Sequence, residues 1–162
     1  MQKQPWWKGP NGEWYVVVQL ILFGLVTFAP ANFPGQSPWG EPGRTIGIVA
    51  GLILGGIGGL LIFAGLFSLG SNITAVPRPK ENAHMVEHGA YRVVRHPIYS
   101  GIILGALGLG LLRGGWLALL YGLILFLFFD IKSRREEIWL REKYSDYAEY
   151  QQRVRKLIPF VY

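Results

Sequence analysis

Long apolar segments alternate along the chain with short polar ones. Four segments carry no charged residue: 14–29, 45–69, 98–112 and 116–129. Segments of this length and composition are typical of membrane-crossing helices, and proline and polar clusters separate them. The pattern predicts an all-α integral membrane protein with about four transmembrane helices.

The same pattern divides the chain into two parts. Residues 1–69 hold the first two predicted transmembrane helices. Residues 70–162 hold a polar loop, a transmembrane helical hairpin closed by the short turn Arg113-Gly114-Gly115, and C-terminal helices. With 51% hydrophobic residues, the chain leaves no room for a separate soluble domain.

Glycine spacing indicates close helix packing. Glycines four residues apart predict a helix face without side chains, against which another helix can pack closely. They are Gly47, Gly51, Gly55 and Gly59 in the second segment and Gly101 and Gly105 in the third. We expect these faces also to leave space for an isoprenoid-like chain.

The third apolar segment is short. Residues 98–112 span about 22 Å at about 1.5 Å per residue, whereas a hydrocarbon core is about 30 Å thick. Pro97 suits the first turn of a helix, where its missing N–H costs nothing. We therefore expect the third helix to begin at His96-Pro97, inside a recess below the membrane surface.

Basic residues lie almost entirely on one side of a four-helix path. Of the 16 lysines and arginines, only Arg44 and Arg113 fall on the other side, which leaves 14. This asymmetry predicts that both termini and the loop 70–97 are cytoplasmic. Basic residues on the cytoplasmic side set the orientation of the helices and attract anionic lipid headgroups, which explains the net charge of +6. We therefore predict no nucleic-acid partner.

The first apolar segment admits a second interpretation. Lys3 and Lys8 precede it, and Ala29-Pro30-Ala31 imitates the cleavage site of a signal peptide. An aromatic belt at a membrane interface favours a retained helix, and its members are Trp6, Trp7, Trp14 and Tyr15.

The C-terminal region reads as an amphipathic helix. Apolar residues alternate there with charged ones, and the apolar residues are Ile138, Leu140, Tyr144, Tyr147 and Tyr150. Ser145 is a candidate break, and Pro159 is expected to end the helix. The pattern predicts a cytoplasmic helical cap; the alternative is a membrane-surface helix that only anchors the C-terminus.

Three polar stretches are predicted to meet at the cytoplasmic mouth: residues 72–92, 95–99 and 130–137. Lys132 and Glu136 are one helical turn apart and share a face, with Glu137 adjacent. Such residues are costly at membrane depth unless paired or hydrated, which makes them candidates for a site. His84 and His88 lack a third ligand and the chain has no cysteine, so no metal site is predicted.

These stretches resemble a known family. PRP in the loop, MVEHGAYR, VRHPIYSG, and then EEIWL with Tyr147, Tyr150 and the terminal LIP are similar to the isoprenylcysteine carboxyl methyltransferases, including their bacterial and archaeal members. A more distant likeness is to phospholipid methyltransferases. The resemblance covers residues from about 70 to 160, and it implies that 70–162 is the catalytic part. It also implies a pocket for S-adenosyl-L-methionine that faces the cytoplasm.

The motif positions imply roles for single residues. Cofactor-binding residues are implied to be Ala83, His84, Met85, Val86, Gly89, Tyr91, His96, Pro97, Ile98, Tyr99 and Glu136. The implied catalytic residues are Arg95, Lys132 and Glu137, with Lys132 holding the substrate carboxylate. That position is more usually arginine, and lysine cannot form the same two-pronged bond, so Arg95 or Arg135 is a candidate to share the role. Tyr144-Ser145 replaces the family's usual Phe-Gly.

The chemistry expected of such a site is transfer of a sulfonium methyl group. A carboxylate acceptor is ionised at neutral pH and needs no base, whereas an amine acceptor needs one, for which Glu137 and His88 are candidates. We expect carboxyl methylation of a prenylcysteine-like, lipophilic acceptor that enters from the bilayer. Alternatives are a methyltransferase for phospholipids or other small lipids, and a non-enzymatic membrane scaffold or carrier. Membrane lipids are expected partners, and no obligate protein partner is predicted.

Overall fold

Every regular element in the described part of the chain is helical. The computed structural model describes residues 9–159 and 161–162. Its five α-helices are α1 (Glu13–Phe28), α2 (Gly43–Leu69), α3 (Pro97–Arg113), α4 (Trp116–Lys143) and α5 (Tyr147–Arg153), and short 3-10 turns cover Gly70–Asn72 and Gly89–Arg92. The predicted all-α class is confirmed. Lys3, Lys8, Trp6 and Trp7, which bear on the signal-peptide alternative, lie outside the described residues.

Two helices have the length and composition to cross a membrane. They are α2, which the following 3-10 turn extends to Asn72, and α4. The apolar helices α1 and α3 are shorter, with 16 and 17 residues. At about 1.5 Å per residue α3 is about 26 Å long, so the third helix is short, as predicted. Four crossings remain a prediction.

Helices α2 and α3 pack backbone against backbone. A Cβ on Gly51 would lie 2.7 Å from the Gly108 carbonyl oxygen, and one on Gly58 would lie 2.6 Å from that of Gly101. Because the later glycine of α2 meets the earlier glycine of α3, the two helices are antiparallel. Within each helix the two contacting glycines are seven positions apart, which is about two helical turns.

The predicted four-residue glycine face is therefore partly wrong. A Cβ on Gly55, Gly59 or Gly105 would meet no atom of the described residues within 4 Å. Each four-residue step turns about 40° around a helix, whereas a seven-residue step stays close to one line, so the seam follows the longer spacing. Gly101 lies against α2 and leaves no room there for an isoprenoid-like chain.

The turn between α3 and α4 is as tight as predicted. Gly114 adopts a left-handed conformation with φ of 61°, and α4 begins two residues later. The two arginines on this side cap helix ends. Arg113 donates to the carbonyl oxygens of Val26 (3.1 Å) and Ala29 at the end of α1, and Arg44 donates to that of Leu112 at the end of α3.

The C-terminal region forms a broken helix, as predicted, but it ends earlier than predicted. Helix α4 runs on to Lys143, the break falls near Ser145 as predicted, and α5 ends at Arg153 rather than at Pro159. The chain then extends beside the segment that precedes α3, with the N–H of Arg95 bonded to the carbonyl of Arg155 at 2.8 Å. These long-range backbone bonds replace the helical ones that would have continued α5.

Candidate functional site

A chamber of about 220 Å³ lies among α1, the ends of α2, α3 and α4, and α5. The three polar stretches singled out in the sequence all contribute to its wall. This is possible because the α3–α4 hairpin brings residues 95–99 beside 130–137, while the loop after α2 folds across them.

Most of the predicted site residues line the chamber. They are Ala83, His84, Met85, Val86, Tyr91, Arg95, His96, Ile98, Tyr99, Lys132 and Glu136. Gly89, Pro97 and Glu137 do not. Gly89 starts a 3-10 turn with φ of 60°, and Pro97 is buried in the first turn of α3 against α2. The roles of these residues remain predictions.

The loop that borders the chamber is pinned through its backbone. The Asn72 side chain donates to the carbonyl oxygen of His84 (3.0 Å) and accepts from the His84 N–H (3.3 Å). The Tyr144 hydroxyl donates to the Ala83 carbonyl oxygen at 2.7 Å. Asn72 was not predicted, since nothing in its local pattern marks it. Tyr144 thus uses its hydroxyl to hold this loop.

Glu136 is the one carboxylate that the described residues place in the chamber wall. The Tyr99 hydroxyl donates to it at 2.7 Å. The Tyr99 ring is stacked between Phe129, at 4.6 Å between ring centroids, and His96, at 5.4 Å. An oriented tyrosine therefore fixes the position of the carboxylate across the hairpin.

Glu137 points behind the wall rather than into the chamber. Its carboxylate accepts from Arg95 Nε at 2.8 Å and Gln151 Nε2 at 2.9 Å, and it lies 3.1 Å from His96 Nε2. Arg95 also donates to the Val154 carbonyl oxygen. This buried network ties α4, the start of α3 and the C-terminal cap together.

Tyrosines close the side of the chamber nearest α5. Tyr147 and Tyr150 are each 3% exposed, and the Tyr150 hydroxyl donates to the Tyr91 carbonyl oxygen at 2.6 Å. Burial raises the pKa of Tyr91, Tyr147 and Tyr150, so these hydroxyls stay protonated at physiological pH.

Lys132 is almost fully buried, with 1% of its surface exposed. Its ammonium donates to Gln19 Oε1 at 2.6 Å and to the Ala75 carbonyl oxygen at 3.3 Å. Gln19 was not predicted, although a lone amide in an apolar segment is a usable signal. Arg135, the candidate to share the role of Lys132, lies outside the chamber wall and over the Trp139 ring.

The described residues contain no group of three or more His, Asp or Glu side chains arranged to hold a metal ion. The chamber wall instead combines one carboxylate, a buried ammonium, a guanidinium and several aromatic rings. Such a wall suits an organic ligand that carries both charges.

Comparison with known sequences defines the class. The phospholipid methyltransferase family matches residues 46–147, more than half of the chain, so the chain belongs to this family. The match includes most of α2, all of α3 and α4, and most of the chamber wall, but neither Gln19 nor Tyr150.

Individual relatives have more specific names than the family. The chain is 33% identical over 115 residues to a probable protein-S-isoprenylcysteine O-methyltransferase of Oryza sativa subsp. indica, which covers 68% of this chain and 60% of the rice protein. It is 37% identical over 93 residues to the protein-S-isoprenylcysteine O-methyltransferase of Schizosaccharomyces pombe, covering 56% of this chain and 39% of that protein. The resemblance predicted from the motifs is confirmed.

A protein with a different name aligns with a longer part of this chain. The cobalt-zinc-cadmium resistance protein CzcN of Cupriavidus metallidurans is 29% identical over 150 residues, which is 91% of this chain and 62% of CzcN. The chain therefore spans less than two thirds of each of these three relatives.

Proposed function

We propose that the chain is a membrane methyltransferase that moves a methyl group from S-adenosyl-L-methionine to the carboxylate of a lipophilic, prenylcysteine-like acceptor. One observation carries the proposal: among the described residues, the chamber wall holds one carboxylate and a buried ammonium that forms no ion pair. Membership of the family and the names of the rice and fission-yeast relatives support it.

The charged, aromatic and backbone groups of the chamber wall suit the proposed cofactor. When bound, S-adenosyl-L-methionine supplies an electrophilic methyl group on a positively charged sulfur. The Glu136 carboxylate and the Tyr91 and Tyr99 rings favour a cation, while Arg95 favours the carboxylate of an amino-acid end. The pinned backbone of residues 83–86 offers further hydrogen-bonding groups.

The acceptor is held by charge and by apolar contact. The Lys132 ammonium attracts its carboxylate, and Leu66, Ile98 and Ile102 offer an apolar wall for the lipid chain. A carboxylate needs no base at neutral pH. An amine acceptor needs one, but Glu137 is engaged by three side chains behind the wall, and His88 is exposed outside it. This arrangement favours a carboxylate over the amine of phosphatidylethanolamine.

The proposal includes a place in the membrane. We propose four crossings, both termini and the chamber on the cytoplasmic side, and entry of the acceptor from the bilayer; in a bacterium the membrane is the inner one. Two helices of spanning length and the one-sided lysines and arginines support this topology.

Transfer of labelled methyl groups tests the function. Purified protein is incubated with methyl-labelled cofactor and either N-acetyl-farnesylcysteine, phosphatidylethanolamine or a total lipid extract. We expect label in the farnesylcysteine as a base-labile ester. His88→Ala is the matched control, because a carboxylate acceptor does not need this exposed histidine, and it should retain transfer. Label confined to the phospholipid would support the amine alternative, and no transfer or cofactor binding would support a non-enzymatic scaffold.

A further inference from the structure

The buried ammonium of Lys132 has only neutral hydrogen-bond partners, although the Glu136 carboxylate lies one helical turn along the same helix. Within the described part of the chain, no carboxylate oxygen lies within 4.0 Å of its Nζ. By contrast, Lys156, which is also buried, is paired with Asp130. Burying a charge that forms no ion pair costs several kcal/mol, so the contacts made by Lys132 need a reason.

Gln19 and Ala75 satisfy the ammonium without neutralising it. An amide oxygen at 2.6 Å and a backbone carbonyl oxygen at 3.3 Å accept two of its three N–H groups. The Tyr99 ring centroid lies 5.1 Å from Nζ and adds a cation–π contact. The third N–H has no hydrogen-bond acceptor among the described residues, and Gln19, Ala75 and Lys132 share the chamber wall.

The identity of the accepting atom in Gln19 is determined. An ammonium can only donate, so Oε1 faces Lys132 and the amide NH₂ points away from it. A glutamate of the same shape would form an ion pair at this place and would cancel the charge. The amide therefore leaves Lys132 without an ion-pair partner, and it comes from α1, outside the region matched by the family.

We propose that Gln19 is a positioning residue that holds Lys132 in its charged form toward the chamber, and that it thereby makes the site selective for an acceptor with an anionic group. This inference rests on the proposed function. It adds that selectivity for the acceptor depends on α1, whereas affinity for the cofactor does not.

Gln19→Glu tests the inference with almost no change in shape. The measured quantity is the ratio of inhibition or dissociation constants for N-acetyl-farnesylcysteine and its uncharged methyl ester. We expect the wild type to prefer the carboxylate and Gln19→Glu to shift the ratio toward the ester at least tenfold. Affinity for S-adenosylhomocysteine should stay within about twofold. Gln36→Glu, the same change on an exposed loop, is the matched control and should leave the ratio unchanged.

A second variant separates function from folding. Gln19→Leu combined with Lys132→Met removes both members of the polar pair, so neither side chain is left buried without the other, and such a replacement is often neutral for stability. We expect this protein to fold, to bind S-adenosylhomocysteine and to lose its preference for the carboxylate at least tenfold. An unchanged ratio in either Gln19 variant would overturn the inference. A wild type that neither binds S-adenosylhomocysteine nor transfers methyl groups would instead overturn the proposed function.

Discussion

At the scale of single residues, the chamber depends on side chains behind its wall as much as on those that line it. Glu137 illustrates this, because it bonds with Arg95, His96 and Gln151 and reaches none of the chamber itself. Such residues hold the wall in place, and their loss should appear first in stability.

Glu137→Gln should therefore destabilise the protein strongly. The change keeps the shape but leaves the buried guanidinium of Arg95 without its counter-ion, and breaking a buried pair costs about 3 kcal/mol or more. We expect thermal unfolding in detergent to show a Tm lower by on the order of 10 °C. Glu142→Gln, an exposed change on the same helix, should leave Tm nearly unchanged. Equal Tm values for the two variants would contradict the structural role of Glu137.

Asn72 offers a test of the pinned loop. Asn72→Ala removes both hydrogen bonds to the His84 backbone, so residues 83–86 lose their fixed position along the wall. We expect affinity for S-adenosylhomocysteine to fall about tenfold in calorimetry, which corresponds to about 1.4 kcal/mol. Ser71→Ala, a change in the neighbouring exposed side chain, should bind like the wild type. If both bind alike, the loop does not contact the cofactor.

At the scale of helices, the seam between α2 and α3 positions the start of α3 at the chamber. Gly58→Ala places a methyl group 2.6 Å from the Gly101 carbonyl oxygen, so the backbones must separate. We expect a loss of about 1–3 kcal/mol in unfolding free energy. Gly59→Ala is the matched control: its methyl group meets no atom within 4 Å, and alanine favours helix by about 1 kcal/mol. A Gly58→Ala protein as stable as Gly59→Ala would contradict the seam.

Helix identity and turns could be predicted from sequence because they depend on local patterns. Apolar length defined the helices, Pro97 defined the start of α3, and Gly114 defined the turn after it. The end of α5 at Arg153 could not be predicted, since it depends on backbone bonds to residues 95 and 96 far away in the chain.

Part of the candidate site could also be predicted, and for a related reason. Lys132 and Glu136 share a helix face through their four-residue spacing, and both line the chamber. Gln19 and Asn72 could not be assigned in the same way, because each acts through one partner that only the tertiary fold brings near. The seven-residue glycine seam was missed because a four-residue pattern also runs through α2.

At the scale of the whole molecule, the absence of cysteine from the sequence allows a clean test of topology. Single cysteines replace two exposed residues, Ser145 between α4 and α5 and Gln36 between α1 and α2. With an impermeant thiol reagent, we expect Ser145→Cys to react from the cytoplasmic side only and Gln36→Cys from the opposite side only. Labelling of both from one side would contradict the proposed crossings.

The polar stretches of the sequence converge into one chamber, and we propose that this chamber binds the methyl donor. Calorimetry with S-adenosylhomocysteine tests it most directly, with wild-type protein beside His96→Ala and Glu136→Ala. Both side chains line the chamber, and Glu136 is the carboxylate held by Tyr99. We expect saturable binding by the wild type that each substitution weakens at least tenfold. Absence of binding at millimolar ligand, or equal affinity in all three proteins, would contradict it.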